Sequence, residues 1–253
     1  MNRNTYHKLP ILDGLELLDA KGHNTSFPFH THNTFNVTLV ISQPFITKLN
    51  DRLLQAPQGT IVITNPGEVH ATICDSVTGN SFFTFYIPPQ VFASANQGKD
   101  IFFEDKVIYD PCLFAELWSL SREFSKTGAE KRMRCVIEKL VTRYGTTDHF
   151  TGAKTKLFRD FLREDVTEKF SLEKAAAQFG LDKYKFLRLF KQQTGLTPNN
   201  FIILQRIEKS KELLRRHDNL LEIAIESGFY DATHFCRHFK KITGITPMAY
   251  KLA

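Results

Sequence analysis

The phrase QQTGLTP at Gln192–Pro198 returns as KITGITP at Lys241–Pro247, 49 residues further on. A chain that spells one stop-and-restart phrase twice must fold one supersecondary unit twice. Sliding residues 172–198 onto 221–247 without a gap leaves 12 of 27 positions identical. The pairs run from Leu172/Leu221, Glu173/Glu222 and Ala175/Ala224, through Asp182/Asp231, Phe186/Phe235, Arg188/Arg237, Phe190/Phe239 and Lys191/Lys240, to the shared Thr-Gly-x-Thr-Pro.

Each copy reads as a helix-turn-helix. A short helix (LEKAAAQ or LEIAIES) meets a Phe/Gly turn, Phe179-Gly180 or Gly228-Phe229. Asp182 or Asp231 then caps a second helix, its carboxylate accepting from backbone N–H groups that have no partner within the helix. Gly195 and Gly244 stand where a helix C-terminus takes a left-handed residue. Thr197-Pro198 and Thr246-Pro247 open the next helix, threonine as N-cap and proline at the first helical position. The repeated phrase is therefore a pair of helix boundaries.

At about 100° per residue, Phe186, Leu189 and Phe190 form the apolar stripe of the first copy's second helix. Tyr184, Arg188 and Lys191 point the other way, with Leu187 at the flank. In the second copy Phe235 and Phe239 face inward, while Thr233, Arg237 and Lys240 face outward, with Cys236 at the flank. An aromatic inner face under an Arg/Lys outer face fits a recognition helix: arginine can bond guanine bidentately in the major groove, and lysine neutralises phosphate. A single such helix would more simply be a solvated surface, but two copies put the same cations at the same positions. Charge agrees. Residues 155–253 hold 18 Lys+Arg against 12 Asp+Glu, and residues 1–154 hold 15 against 15. The basic excess lies wholly in the repeat-bearing part, as a polyanion-binding module requires. Between the copies, Ile203, Ile207, Ser210 and Leu214 make one stripe of a helix of ~18 residues and about 27 Å. Such a helix can hold two readers roughly one duplex turn (~34 Å) apart.

Earlier in the chain the period changes. Phe35–Ile41, Gly59–Thr64 and Ser81–Ile87 are β-branched and aromatic runs punctuated by Pro, Gly and Asn, which predicts short half-buried strands in a sandwich or barrel. From Pro111 two amphipathic helices follow, the first with Leu113, Leu117, Leu120 and Phe124 on one stripe. Gly128 separates them and Gly145 ends the second. They read equally as a dimerisation surface or as packing against the strands. The polar stretch 145–155 reads as a linker.

The pattern of Ala176-x3-Gly-Leu, Phe186-Leu-Arg-Leu-Phe-Lys, Arg206-Ile-Glu-Lys-Ser and Ile223-Ala-x3-Gly-Phe, closing on Thr-Pro-x2-Tyr250, resembles the AraC family of bacterial transcriptional regulators over residues 156–251. The resemblance implies a DNA-binding role by position for Tyr184, Leu187 and Arg188, then for Ala232, Thr233, Cys236 and Arg237. Lys183, Lys191 and Lys240 join them as basic residues of the same faces. Leu187 and Cys236 stand where the family often has polar side chains, so apolar contact with a thymine methyl is expected there. Residues 10–110, with FPFHTH and NPGEVH, look like the small cupin barrel that precedes this module in such regulators.

On a strand, His30 and His32 face one side, and His70 can approach them across the barrel. The three are the candidate ligand-binding residues, for a small-molecule pocket. Metal ligation is the lesser alternative: three neutral imidazoles suit a divalent ion with an open position, but no carboxylate follows within Asn33–Asn36. Buried hydrogen-bonding histidines are the plain alternative. Phe27, Phe29, Phe35, Phe83, Phe85 and Tyr86 are expected in the core, where any could line a pocket.

The expected fold is α+β: a cupin-like ligand-sensing barrel (1–110), a helical dimerisation segment (111–144), a linker (145–155) and an all-α DNA-binding domain with two helix-turn-helix motifs (156–253). The expected partners are double-stranded DNA, a small-molecule effector and a second copy of the chain. No resident cofactor, catalytic residue or membrane partner is expected. No run of apolar residues is long enough for a membrane span, no secretory signal opens the chain, and four scattered cysteines form no framework, so a cytoplasmic location with reduced thiols is expected. A cupin enzyme carrying a DNA-binding appendage, and a constitutive DNA binder whose barrel only dimerises, are the competing readings.

Overall fold

A computed structural model describes residues 3–49, 52–74, 78–123, 128–147, 166–167 and 170–253. Backbone proximity divides the chain into two compact units, residues 1–26 and 31–149 in one, 27–30 and 150–252 in the other. The strand Phe27–His30 hydrogen-bonds into a sheet of the first unit and is described there.

The front unit holds two sheets. Six strands run in the order β1 (Arg3–Lys8), β2 (Glu16–His23), β9 (Asn80–Ile87), β4 (Phe35–Ser42), β7 (Ile61–Thr64) and β11 (Val107–Ile108). Four run β3 (Phe27–His30), β8 (His70–Ile73), β5 (Phe45–Leu49) and β6 (Leu53–Ala56). A helix α1 (Pro89–Ala95), the strand β10 (Phe102–Phe103) and the helices α2 (Pro111–Leu120) and α3 (Ala129–Tyr144) complete it, with β12 (Gly145–Thr146) paired to β10.

The expected strands form, but they are not half-buried: Phe35–Val40 and all of β7 are buried along their whole length. Both faces are covered, and the period of two survives as a difference in chemistry. Phe35, Val37, Leu39, Ile61, Ile63, Phe83, Phe85 and Ile87 share one apolar core with Leu113, Leu117 and Leu120 of α2 and Met133, Ile137 and Leu140 of α3. The alternate residues Asn36, Thr38, Thr64 and Thr84 are buried yet polar. Thr38 and Thr84, cross-strand partners, join hydroxyls at 2.9 Å. Phe35, Phe83 and Phe85 therefore line no pocket on the polar side, because their parity commits them to the helices. The apolar stripes of α2 and α3 are spent within the chain; Phe124 lies outside the described residues. Gly128 precedes α3 in the left-handed region, and Gly145 ends it in extended backbone, because the chain passes directly into β12. Gly145 and Thr146 thus belong to a strand and not to a linker.

The back unit is helical in its described residues: α4 (Leu172–Gln178), α5 (Lys183–Thr194), α6 (Pro198–Leu214), α7 (Leu220–Glu226), α8 (Ala232–Thr243) and α9 (Pro247–Lys251). Asp182 accepts from Tyr184 and Lys185 N–H, and Asp231 from His234 N–H. Gly195 (φ 76°) and Gly244 (φ 80°) end α5 and α8. Thr197 and Thr246 cap α6 and α9 through Asn200 and Ala249 N–H. Beneath these ends lies a clamp that the residue pattern did not reveal. Thr194 Oγ1 donates to Phe190 O at 2.7 Å, and Thr243 Oγ1 to Phe239 O at 2.8 Å.

The ungapped repeat needs one correction. The first helices are capped by Ser171 and Asn219, 48 residues apart, and the turns close through Leu181 N–H to Ala176 O and Phe229 N–H to Ala224 O at the same spacing. The second helices are 49 apart. The second copy therefore carries one extra turn residue, Tyr230, which is 87% exposed. The identities at Leu172/Leu221, Glu173/Glu222 and Ala175/Ala224 do not mark equivalent places. Leu189, expected in the buried stripe, is only half-buried, whereas Phe186 and Phe190 are fully so.

Gly180 (φ 63°) and Gly228 (φ 88°) make the two turns in the left-handed region. A Cβ on Gly180 would meet nothing within 4 Å; on Gly228 it would lie 2.7 Å from Val166 O and 2.8 Å from Arg206 Nε. We predict that Gly180→Ala costs about 1–2 kcal/mol of backbone strain and that Gly228→Ala costs clearly more. Urea unfolding of both variants checks this, and equal midpoints would refute the close-approach argument.

Candidate nucleic-acid interface and ligand site

Two aromatic ladders set the orientation of α5 and α8. Phe186 lies 5.5 Å from Phe179 and 5.9 Å from Phe190, which meets Phe201 of α6 at 5.8 Å. Phe235 lies 5.3 Å from Phe229 and 5.6 Å from Phe239, which meets Tyr250 of α9 at 5.5 Å. With these rings buried, the opposite face must be solvated. Tyr184, Arg188 and Lys191 are exposed on α5, and Thr233, Arg237 and Lys240 on α8. Leu187 on the first, and Ala232 and Cys236 on the second, are half-buried at the flanks. Burial raises the Cys236 thiol pKa, so it stays neutral. Lys183 is held at 3.2 Å by Glu173 and lies 5.3 Å from the Tyr184 ring centroid. The ten candidate positions thus form two separate sets, one at each helix, presented alike. The helix α6 packs against both α5 and α8. At 17 residues it is about 25 Å long, and its Ile203, Ile207, Ser210 and Leu214 are buried as expected.

Beside the second face, His234 and His238 meet edge to face at 4.6 Å. Burial, then the charges of His234, Arg237 and Lys241, lower the pKa of His238 to about 4.

Of the three candidate histidines, His32 and His70 belong to the front unit, and His30 ends the strand Phe27–His30. His30 and His70 are buried and His32 is half-buried. His30 Nδ1 lies 2.7 Å from Pro28 O and His70 Nδ1 3.0 Å from Glu68 O. A carbonyl can only accept, so each Nδ1 carries a proton. Burial lowers the pKa of His70, opposed by the Glu68 carbonyl and carboxylate, so the ring is held neutral. Tyr86 packs 5.3 Å from His32, which lies 5.5 Å from His70.

The turn Asn65–Glu68 positions His32 and His70, and its role was not legible in the sequence. Gly67 N–H donates to His32 O at 2.8 Å. Glu68 Oε2 accepts from Asn65 N–H and lies 3.0 Å from Lys106 Nζ. Lys106, 6% exposed, also donates to Phe103 O, and Asn65 exchanges two hydrogen bonds with Phe103. Burial lowers the lysine pKa and Glu68 partly restores it. On β8 and β5, His70 pairs with Leu49 and Thr72 with Thr47. Thr47 Oγ1 is buried without a hydrogen-bond partner among the described residues. A separate groove of about 610 Å³, lined by Asn96, Gln97, Ile101, Glu104, Thr142 and Thr146 among others, contains none of the histidines.

Glu68→Gln leaves a buried ammonium without its counter-charge and should lower stability by about 3 kcal/mol, read by urea unfolding; Glu68→Gln with Lys106→Met should recover much of it. His238 is depressed in the folded state, so the unfolded chain binds more protons below pH 6.5. The stability that its neutral form contributes is present above pH 6.5 and is lost as pH falls toward about 4. Urea midpoints at pH 7 and pH 5 should differ, and His238→Gln should narrow the difference.

Residues 14–136 match the family profile of an AraC-like ligand binding domain, and residues 175–253 that of a helix-turn-helix domain. The HTH-type transcriptional regulator YbfI of Bacillus subtilis is 25% identical over 87% of this chain and 85% of its own. The transcriptional activator RhaS of Klebsiella pneumoniae is 37% identical over 32% of this chain and 30% of its own. ToxT from Vibrio cholerae shares the fold, its apo form with TM-score 0.61 and 12% identity over 99% of this chain and 98% of that one. Among the described residues no helix is long and apolar enough to cross a membrane. The duplicated helix-turn-helix behind a strand-rich ligand-binding domain, matched by both profiles, places the chain in the AraC family of DNA-binding transcriptional regulators.

Proposed function

We propose that the chain works as an effector-responsive homodimer in the cytoplasm, reading promoter DNA through two recognition helices. Arg188 and Arg237 read base edges, with Tyr184, Leu187, Ala232, Thr233 and Cys236 around them, while Lys183, Lys191 and Lys240 hold phosphates. The carrying observation is the equivalent presentation of the two arginines, each exposed on a helix capped by aspartate and closed by a left-handed glycine. A rigid helix between the readers supports engagement of one face of a duplex in adjacent major grooves. The ligand-binding residues are His30, His32 and His70. An effector bound there changes DNA affinity only through unequal affinity for two states of the protein. With the main apolar stripes of α2 and α3 buried, the half-exposed Phe114 and Trp118 of α2 and the charged outer face of α3 are what these helices offer a second copy.

Fluorescence-anisotropy titration with the chain's own upstream DNA tests the reading. Arg188→Ala and Arg237→Ala should each cost about 1–3 kcal/mol and relax preference at particular base pairs. Lys191→Ala and Lys240→Ala should weaken all sequences alike and reduce the salt slope by about 1 each. Binding that ignores salt and both arginines would sink the proposal.

A further inference from the structure

We propose that Tyr230, the extra residue in the second copy's turn, donates its phenol hydroxyl to a DNA phosphate at the edge of the groove that α8 enters. It acts as a neutral backbone anchor that the first copy lacks. The inference rests on the reading of α8 as a recognition helix and adds a contact that neither the repeat nor the basic faces contain.

The backbone on both sides of Tyr230 is fixed. Phe229 N–H donates to Ala224 O at 2.8 Å, and the buried Phe229 ring lies 5.3 Å from Phe235. After Tyr230 the chain is extended at Asp231 (φ −154°, ψ 170°), whose carboxylate accepts from His234 N–H and caps α8. The Tyr230 side chain is not fixed. It is 87% exposed, and among the described residues it has no hydrogen bond, ion pair or ring contact. A held backbone thus presents an uncommitted phenol, so a partner meets a side chain whose origin is already placed.

Position selects the partner. In a helix-turn-helix the first helix crosses the DNA backbone and the first residues of the second reach base edges. The turn that joins them lies where backbone meets groove. Tyr230 stands two residues before Ala232 and three before Thr233, both in the DNA-facing set of α8. A phenol O–H is a donor, phosphate oxygens accept, and tyrosine is among the side chains that make such contacts. Being uncharged, it releases no counterion.

The two copies use their exposed tyrosines differently. Tyr184, 73% exposed, lies within α5 at the place that Thr233 holds in α8. The first copy's tyrosine therefore belongs to the helix face, and the second copy's stands outside the helix. One inserted turn residue gives the second reader a foothold on the sugar-phosphate chain.

Anisotropy titration of the full chain with its own upstream DNA, repeated over a range of salt, tests this. Tyr230→Phe keeps the ring and removes only the hydroxyl. It should weaken binding about 3–10-fold, equally on upstream and scrambled duplexes, with the salt slope unchanged because no charge is lost. Single methylphosphonate substitutions along the duplex should reveal one phosphate whose replacement is costly to the wild type and about threefold or more less costly to Tyr230→Phe, the coupling expected of a direct contact. Equal urea midpoints separate a lost contact from lost folding. Wild-type affinity in Tyr230→Phe, an altered salt slope, or no coupled phosphate overturns the inference. Arg237→Ala in the same assay keeps the two readings apart. If it is impaired while Tyr230→Phe is not, the anchor falls and the recognition helix stands; if neither is impaired, the reading of α8 falls with it.

Discussion

The burial of two phenylalanines four residues apart orients everything the back unit does. Phe186 with Phe190, and Phe235 with Phe239, are fully buried, and each pair is held against a third ring from the helix that follows. Truncating such a side chain typically costs about 3–5 kcal/mol, far more than any single exposed cation contributes to stability. Rotation of α5 or α8 is therefore settled by the rings, and the solvent-facing positions of Arg188 and Arg237 are a consequence of packing. The threonine clamps and left-handed glycines add to this by stopping each helix at the same point relative to its rings.

The front unit solves a different problem with a different period. Its central strands are covered on both faces, so alternation no longer separates inside from outside. It separates an apolar face, filled by α2 and α3, from a buried polar one bearing Asn36, Thr38, Thr64 and Thr84. A buried polar face needs partners, and part of the need is met internally by the Thr38–Thr84 pair. The histidines and the Lys106–Glu68 brace belong to the same economy of buried polarity: each group is placed by a neighbour that would itself be destabilised if left alone.

Helix starts and stops in the repeat were legible because capping acts over two to four residues. Asp182, Asp231, Thr197 and Thr246 cap as their positions suggest. The outward faces followed from helical geometry once the phenylalanines were taken as buried. Tyr230 was missed because side-chain identity favoured an ungapped alignment, whereas the backbone bonds into Ala176 and Ala224 count residues directly. The burial of β4 and β7 on both faces was missed because a run such as Phe35–Val40 reads the same whether one face or two is covered. His30, His32 and His70 were recognisable as candidates from spacing, but Lys106 was not, since nothing local marks a lysine as buried.

By itself, then, the sequence determined the duplicated helix-turn-helix, its caps, its left-handed glycines and the basic outer faces. All of these rest on interactions spanning a turn or two of chain. Tertiary structure alone decided which face of each strand is polar and buried, that the apolar stripes of α2 and α3 are spent inside the chain, and that Lys106 is buried against Glu68. The pairing of β4 with β9 and the Lys106–Glu68 contact join segments 38 or more residues apart. Register and enclosure between distant segments depend on the packing of the whole unit, which no local pattern records.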